Sequence, residues 1–347
     1  MIKRTPFKIG GRTIAPGSRE TVDLPVSVLS DHTAVAMSVH VVHGRRPGPT
    51  MFVSAGIHGD EVIGVEIVRR LLRAPKLRSL RGTLLVVPIV NSFGFINRSR
   101  YLPDRRDLNR SFPGSPGGSL AARLAHHFFT EVVARCDYGI DLHSAAIHRT
   151  NLPQVRVSPG SAQGMELARV FGPPVILTSG LRDGSLRQAA GARGVEVLLY
   201  EAGEGLRFDE MAVRAGFSGI LRVLRHLDML PARGIALARA TPVLCGKSSW
   251  VRAPAGGILR MFCREGEVVA EGALLGVVSD PFGEDHGRIV APGPGVIVGR
   301  AVLPIVNEGD AIFHLAAVSD HSAVEAAVDD MAAQLSADPL FDEDEII

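Results

Sequence analysis

A histidine and a glutamate lie three residues apart where an apolar strand gives way to a helix. His58 and Glu61 belong to the segment SAGIHGDEVIG, which follows the apolar run MFVSA. Side chains three or four residues apart at the start of a helix can converge on one point. An imidazole and a carboxylate are also two of the three protein ligands that a catalytic zinc ion prefers. By itself the pair is a weak signal, because a solvent-facing turn can have the same spacing.

Two further apolar strands end in residues of the same chemical type. His143 follows YGIDL directly, and Glu201 ends VEVLLYE. In an open α/β sheet, ligands bind outside the carboxyl ends of the strands. We therefore expect His143 and Glu201 to arrive at the edge that the first pair occupies. Independent core packing gives no reason for each strand to end in this way, so the pattern predicts a metal centre.

The loop over residues 91–114 is rich in arginine and contains no lysine. A merely solvated loop and a nucleic-acid-binding loop are the alternatives, and the absence of lysine argues against the second. Guanidinium groups are suited to bidentate capture of a carboxylate and to polarisation of a carbonyl group. Asn109 beside Arg110 adds a neutral hydrogen-bonding group.

The elements that must position these residues follow from the hydrophobic pattern. Between about residues 50 and 230, apolar runs of four to eight residues alternate with helical patterns. Apolar strands separated by helices indicate a mostly parallel sheet covered on both faces. We therefore predict an α/β catalytic domain over residues 49–232, with a three-layer α/β/α arrangement. The predicted helices cover residues 60–73, 119–135, 161–171, 185–193 and 208–230.

The segments on either side of this domain have different patterns. Residues 1–48 are predicted to form short β segments. Residues 233–318 are predicted to form an all-β domain with two similar A-P…E-G units. Residues 319–347 contain nine acidic residues and no lysine or arginine. A helix is predicted over residues 322–335, within an acidic and mobile C-terminal tail.

The composition excludes several classes of protein. Of the 347 residues, 46% are hydrophobic and 21% are charged, which is typical of a globular chain. The net charge of +2 argues against a chain built to bind nucleic acid. The longest apolar runs, such as Leu84–Val90, are much shorter than the ~18 residues of a membrane span, and no apolar signal-peptide core is present. Three distant cysteines argue against a disulfide scaffold, so we expect a cytoplasmic protein with neither a membrane nor a nucleic-acid partner.

Four motifs in a fixed order carry a resemblance to a known family. They are G-I-H-G-D-E-V-I-G, R-Y-x-x-D-x-x-D-L-N-R, D-L-H and a glutamate at the end of a later strand. Over residues 50–230 the chain resembles the succinylglutamate desuccinylase/aspartoacylase family, which belongs to the zinc carboxypeptidase group. The resemblance implies one zinc ion per chain, with His58, Glu61 and His143 as its ligands. It also implies that Asp107 orients a histidine ligand.

The resemblance further implies the roles of the residues that handle the substrate. Glu201 matches the catalytic carboxylate that activates the attacking water, and Arg100 matches the arginine that polarises the substrate carbonyl. Asn109 and Arg110 match the pair that holds a substrate carboxylate. The loop before D-L-N-R is longer than in the best-known members, so the acyl and amine parts of the substrate stay open.

The C-terminal β segment resembles the barrel-sandwich shape of biotinyl and lipoyl domains. Those domains carry a modifiable lysine at a hairpin tip, whereas residues 240–318 contain only Lys247 and the matching turn, residues 279–285, has none. A carrier domain is therefore disfavoured. In the resembled family a similar domain lies over the catalytic mouth, which would exclude large substrates.

These observations together predict a zinc-dependent hydrolase that acts on carbon–nitrogen bonds in linear amides. It would remove an acyl group from a small N-acylated amino acid or related amine that carries an anionic group. The alternatives are a zinc carboxypeptidase acting on peptides and a non-catalytic metal-binding relic. A homo-oligomer is left open, because no heptad pattern or isolated apolar stripe marks an interface.

Overall fold

The computed structural model describes residues 4–318 and 321–337. Within these residues the strands are β1 (Phe7–Ile9), β2 (Arg12–Ile14), β3 (Ser18–Val28), β4 (Ala34–His43), β5 (Arg46–Ala55), β6 (Arg81–Val87), β7 (Tyr138–His143), β8 (Arg149–Val157), β9 (Val175–Thr178), β10 (Glu196–Glu204), β11 (Val243–Cys245), β12 (Ser248–Arg252), β13 (Gly257–Met261), β14 (Val268–Val269), β15 (Leu274–Ser279), β16 (Asp285–Val290), β17 (Gly295–Ala301), β18 (Ile305–Val306) and β19 (Ala311–Ala317). The α-helices are α1 (Ile63–Arg73), α2 (Ser92–Ile96), α3 (Leu120–Glu131), α4 (Ala162–Phe171), α5 (Leu186–Gly191), α6 (Glu210–His226) and α7 (His321–Ser336).

The main sheet is mixed, with a parallel centre. Strands β6, β5, β7 and β10 are parallel neighbours. On one side β4 and β3 continue the sheet in antiparallel fashion, and on the other side β8 does so. The predicted α/β class is therefore confirmed, but β8 was not predicted as a strand. Its apolar pattern is interrupted by Asn151, Pro153 and Gln154.

Hydrophobic residues cover both faces of the sheet. Along β5, Met51 and Val53 join a core cluster with helices α1, α4 and α6, whereas Phe52 between them joins a cluster with α3 and α5. This alternation follows from the period of two in a strand. Helix α1 buries Ile67 and Leu71 because its apolar residues recur at helical spacing.

The carboxyl ends of the parallel strands form the edge that carries the candidate site. In the register between β10 and β7, Glu201 lies opposite His143. In the neighbouring pair, Ala55 at the end of β5 lies opposite Leu142. The loop that contains His58 starts there, so the fold brings the three predicted strand ends together.

The C-terminal β region contains a sheet of its own and also extends the main sheet. Strands β16, β15, β13 and β18 form a separate four-stranded sheet with a small hydrophobic core. Strands β17, β19 and β12 instead continue the main sheet, because β17 pairs with β8. This second connection brings β12 and β19 to the candidate site.

The predicted C-terminal helix is present, but it is not part of a mobile tail. Helix α7 buries Ala327, Met331 and Leu335 in the main core, and the side chain of Gln334 accepts a hydrogen bond from the Arg239 backbone and donates one to the Leu237 carbonyl. The prediction of a mobile appendage is therefore wrong for this helix, whose apolar residues recur at helical spacing between acidic ones. The acidic segment FDEDEII lies outside the described residues. No helix of the described chain is both long and apolar enough to cross a membrane.

Candidate metal centre and catalytic pocket

His58, Glu61 and His143 come together in a buried group. The Nδ1 atom of His58 lies 2.6 Å from Glu61 Oε1, and His143 Nδ1 lies 2.7 Å from Glu61 Oε2. One possible ligand atom from each residue lies within 4.8 Å of the others. Gly59 lets this loop approach its neighbour closely, since a Cβ there would lie 1.8 Å from the Gly94 carbonyl carbon. The arrangement can hold a metal ion.

Each histidine donates a hydrogen bond from its second ring nitrogen to a carboxylate. His58 Nε2 donates to Asp107 Oδ1 at 3.2 Å, and His143 Nε2 donates to Asp141 Oδ2 at 2.7 Å. Asp141 in turn accepts a hydrogen bond of 2.8 Å from the Ser54 hydroxyl. Such outer carboxylates fix the ring orientation of metal-binding histidines. Sequence reasoning named Asp107 but missed Asp141, although its spacing of two from His143 on one strand puts both on the same face.

The electrostatics of the group fit a divalent cation. Burial lowers the pKa of both histidines, but the charges of Glu61 and of the carboxylates behind them outweigh it and raise these pKa values. Burial raises the pKa of Glu61, but the two histidines outweigh it and hold the pKa well below its usual range. The pKa of Asp107 is lowered in the same way, against burial, by His58 and Arg100. Glu61 and Asp107 are therefore ionised and place negative charge beside the two imidazoles.

Arg100 lies beside this group. Its Nη1 is 3.2 Å from both His58 Nδ1 and Glu61 Oε1, and its Nη2 donates to Asp107 Oδ2 at 3.0 Å. The contact with Asp107 fixes the guanidinium next to the candidate metal position. A fixed cation at this place can stabilise negative charge that develops on a carbonyl oxygen.

Glu201 lies at the same edge and is held by two residues that sequence reasoning missed. Asn151 Nδ2 and Arg156 Nη2 each donate to Glu201 Oε2 at 2.8 Å. Both donors lie on β8, which pairs with β10 in antiparallel fashion. The two hydrogen bonds fix the plane of the carboxylate. No sequence motif marked Asn151 or Arg156, because the strand that carries them was not recognised.

Asn109 and Arg110 lie in a short turn of 3₁₀ helix, Leu108–Arg110, whose first backbone groups are capped by Asp107. Asn109 Oδ1 accepts a hydrogen bond of 2.9 Å from the Leu186 backbone, so its amide nitrogen is the group that can face a ligand. Arg110 is exposed and donates to the Asn109 carbonyl. Its guanidinium is thus accessible at the mouth of the site.

A cavity of about 650 Å³ joins these residues. The predicted residues that line it are His58, Glu61, Arg100, Asn109, Arg110, His143 and Glu201. Among the described residues, its arginines are Arg100, Arg110, Arg149, Arg156, Arg182 and Arg187, and its carboxylates are Glu61, Asp141 and Glu201. The C-terminal β region contributes Ser248, Trp250 and His314. Within the part of the chain that the structure describes, His148, Arg105 and Arg106 do not line the cavity.

Comparison with known proteins identifies relatives of this chain. A family model described as the succinylglutamate desuccinylase/aspartoacylase catalytic domain matches residues 47–227. The N-alpha-acetyl-L-2,4-diaminobutyric acid deacetylase of Halomonas elongata is 27% identical over 299 residues, which cover 82% of this chain and 86% of that protein. A succinylglutamate desuccinylase of Pseudomonas aeruginosa is 31% identical over 144 residues, or 39% of this chain and 42% of that protein.

Solved structures show the same fold. The product-bound structure of the ectoine utilization protein EutE (DoeB) from Ruegeria pomeroyi superimposes with a TM-score of 0.79 at 23% identity, and the match covers 87% of this chain and 95% of that one. A succinylglutamate desuccinylase/aspartoacylase structure from Rhodobacter sphaeroides gives a TM-score of 0.77 at 24% identity, with 87% and 96% of the two chains covered.

Proposed function

Because the chain belongs to the succinylglutamate desuccinylase/aspartoacylase family, we propose that it is a zinc-dependent amidohydrolase. It removes the acyl group from a small N-acylated amino acid or related amine. The observation that carries the proposal is a single cavity that combines a buried group of metal-binding type with a held carboxylate and a guanidinium. The names of the two curated relatives, a deacetylase and a desuccinylase, support acyl removal as the reaction.

The donor set fits zinc, with one ion per chain. His58, Glu61 and His143 are two imidazoles and one carboxylate, a combination found in catalytic zinc sites that keep one position open. The carboxylates behind both histidines supply the support that such sites need. When bound there, zinc would supply Lewis acidity to the substrate carbonyl and to the attacking water.

Glu201 transfers protons in the reaction, and Arg100 stabilises the charge that develops. Glu201 takes a proton from the attacking water and returns it to the leaving amine. Asn151 and Arg156 hold its Oε2 atom, so the carboxylate keeps one orientation through both transfers. Arg100 stabilises the negative charge that forms on the carbonyl oxygen.

The remaining cavity residues bind and select the substrate. Arg110 and Asn109 bind a substrate carboxylate, Arg110 through its fork of donors and Asn109 through its amide nitrogen. We also propose that residues 233–318 cover the cavity and limit substrate size. Trp250 and His314, which line the cavity from this region, support that role.

The proposal is tested by amine release from a panel of N-acetyl, N-succinyl and N-formyl amino acids. The purified protein is compared before and after metal removal and after zinc is added back. We expect turnover of at least one member, its loss on metal removal and its return with zinc. Peptides of four or more residues are the size control, and we expect them to be poor substrates. Efficient cleavage of such peptides would favour the carboxypeptidase alternative, and turnover that survives complete metal removal would refute the zinc assignment.

A further inference from the structure

A second cavity lies at the edge of the main sheet opposite to the catalytic one. It has a volume of about 430 Å³ and is lined by residues 17–19, 42–46 and 77–80. We call it the amino-edge pocket, because β5 and β6 begin there, whereas the catalytic residues follow their carboxyl ends. Strand β5 is ten residues long, so roughly 30 Å of strand separates the two cavities. A ligand in the amino-edge pocket would therefore not touch the catalytic residues.

The charged residues in the lining of the amino-edge pocket are all arginines. They are Arg19, Arg45, Arg46 and Arg78, and each is exposed, whereas the described lining contains no aspartate or glutamate. Within the described part of the chain, Arg45, Arg46 and Arg78 form no ion pair with a carboxylate. The positive charge of this concave surface is therefore not neutralised by the protein itself.

The fold holds two of these arginines in place. Arg19 Nη2 donates to the Leu72 carbonyl at 2.8 Å, and Arg19 Nε donates to His40 Nε2 at 3.1 Å. The side chain of Arg45 packs on Gly17, where a Cβ would lie 2.5 Å from Arg45 Nε. Gly17 also has a φ of +84°, so the backbone as well as the space favours glycine. Side chains that are already ordered lose less conformational entropy when a ligand binds.

The register of the sheet places two arginines opposite each other at the rim of the amino-edge pocket. Arg46 of β5 and Arg81 of β6 are partners in the parallel pair. Like charges directly opposite each other on neighbouring strands are destabilising. No carboxylate of the described residues forms an ion pair with either of them. A bound anion at the start of these strands would relieve the repulsion.

We propose that the amino-edge pocket binds a small molecule that carries a phosphate group. A phosphate group has nearly two negative charges at neutral pH and three acceptor oxygens, so it can pair with several guanidinium groups at once. The planar fork of arginine matches phosphate oxygens in a bidentate manner. The volume of about 430 Å³ is also typical of a site for a small molecule. The site lies outside the catalytic cavity and does not depend on the proposed function.

Inorganic phosphate is the probe, because it presents the recognised group alone. Its binding is measured by isothermal titration calorimetry at constant ionic strength, with acetate as the monoanionic comparator. We expect the wild type to bind phosphate saturably with a Kd of about 1 mM or less, and acetate at least about tenfold more weakly. Phosphate binding that does not saturate, or acetate binding of equal affinity, would refute the proposal.

The double variant Arg45→Gln/Arg46→Gln removes two cations of the amino-edge pocket and should weaken phosphate binding by at least about tenfold. Both residues are exposed, so the fold should tolerate the changes. The matched control is Arg193→Gln/Arg260→Gln, which removes the same charge from exposed positions outside both cavities and should keep the affinity. Equal losses in the two variants would show that only the overall charge matters, and this would refute the site.

The arginines of the catalytic cavity are the competing site for phosphate. The double variant Arg110→Gln/Arg182→Gln removes two of them and should leave the phosphate affinity of the amino-edge pocket unchanged. Phosphate binding that is lost in this variant, but kept in Arg45→Gln/Arg46→Gln, would place the ion in the catalytic cavity and overturn the proposal.

Discussion

The substitution Glu201→Gln separates an enzyme from a metal-binding relic. Glutamine has nearly the same shape as glutamate but no basicity at neutral pH. Its single side-chain oxygen can accept the hydrogen bonds that Asn151 and Arg156 now donate to Oε2, both at 2.8 Å. The fold should therefore tolerate the change. The ion pair that is lost joins side chains that are only 15% and 23% exposed, so its loss should cost more than the roughly 1 kcal/mol that a solvent-exposed pair contributes at most.

The effect on the reaction should be much larger than the effect on stability. General acid–base catalysis typically contributes about 10²–10⁴-fold, which corresponds to roughly 3–5 kcal/mol of barrier. We expect kcat to fall by at least about 10²-fold, the lower end of that range, with zinc content and substrate affinity nearly unchanged. The assay is amine release at saturating substrate, with elemental analysis and thermal unfolding measured on the same preparation.

A neighbouring carboxylate supplies the matched control. Glu204 lies on the same strand, pairs with Arg207 at 3.1 Å and does not line the cavity. Glu204→Gln removes an equal charge three residues away and should leave kcat within about twofold, since the ion pair that it breaks with Arg207 lies outside the cavity lining. Two results would refute the reasoning. Loss of zinc from Glu201→Gln would make Glu201 a ligand, and near-normal turnover would mean that another residue is the base.

Four further predictions follow from the same geometry. Asp141→Asn removes the carboxylate that accepts a hydrogen bond from His143 Nε2 and should weaken zinc affinity by about 10–100-fold in a chelator competition, whereas unchanged affinity would show that Asp141 is not needed. Arg110→Lys should raise KM for free-acid substrates, because a point charge cannot replace a bidentate fork; equal turnover of amidated and free-acid substrates by the wild type would contradict the anchor. Truncation after Val318 removes α7 with its buried side chains and should lower the melting temperature, because each large apolar side chain that is buried contributes about 1.5–3 kcal/mol. An unchanged melting temperature would mean that the packing of α7 does not stabilise the fold. The pKa of His314 is lower in the fold than its ordinary 6.5, so protonation of this side chain favours unfolding. The contribution of His314 to the free energy of unfolding is therefore full above about pH 6.5 and is lost toward about pH 4. His314→Phe should make this loss smaller in unfolding titrations.

Much of the candidate site could be predicted from the sequence, because it depends on where strands end. Parallel strands bring their carboxyl ends to one edge whatever the details of packing. The residues that follow β5 and end β7 and β10 could therefore be assigned to one place before the fold was known. His58, His143 and Glu201 are such residues. Glu61 joins His58 through a turn that precedes α1, in which the Glu61 backbone amide donates to the His58 carbonyl. The α/β class could be predicted for the same reason, since it follows from periodicity within short segments.

Only the tertiary structure decided which residues surround that edge. Asn151 and Arg156 hold Glu201 through the antiparallel pairing of β8 with β10, and no local pattern specifies which strand pairs with which. His314 reaches the cavity from more than 100 residues away along the chain, because β17 joins the edge of the main sheet and carries β19 with it. Helix α7 packs on the body because its apolar face finds a complementary surface, although its acidic composition alone indicated a solvated tail. Cross-strand pairing and side-chain packing depend on contacts between distant segments, and hydrophobic periodicity carries no information about them.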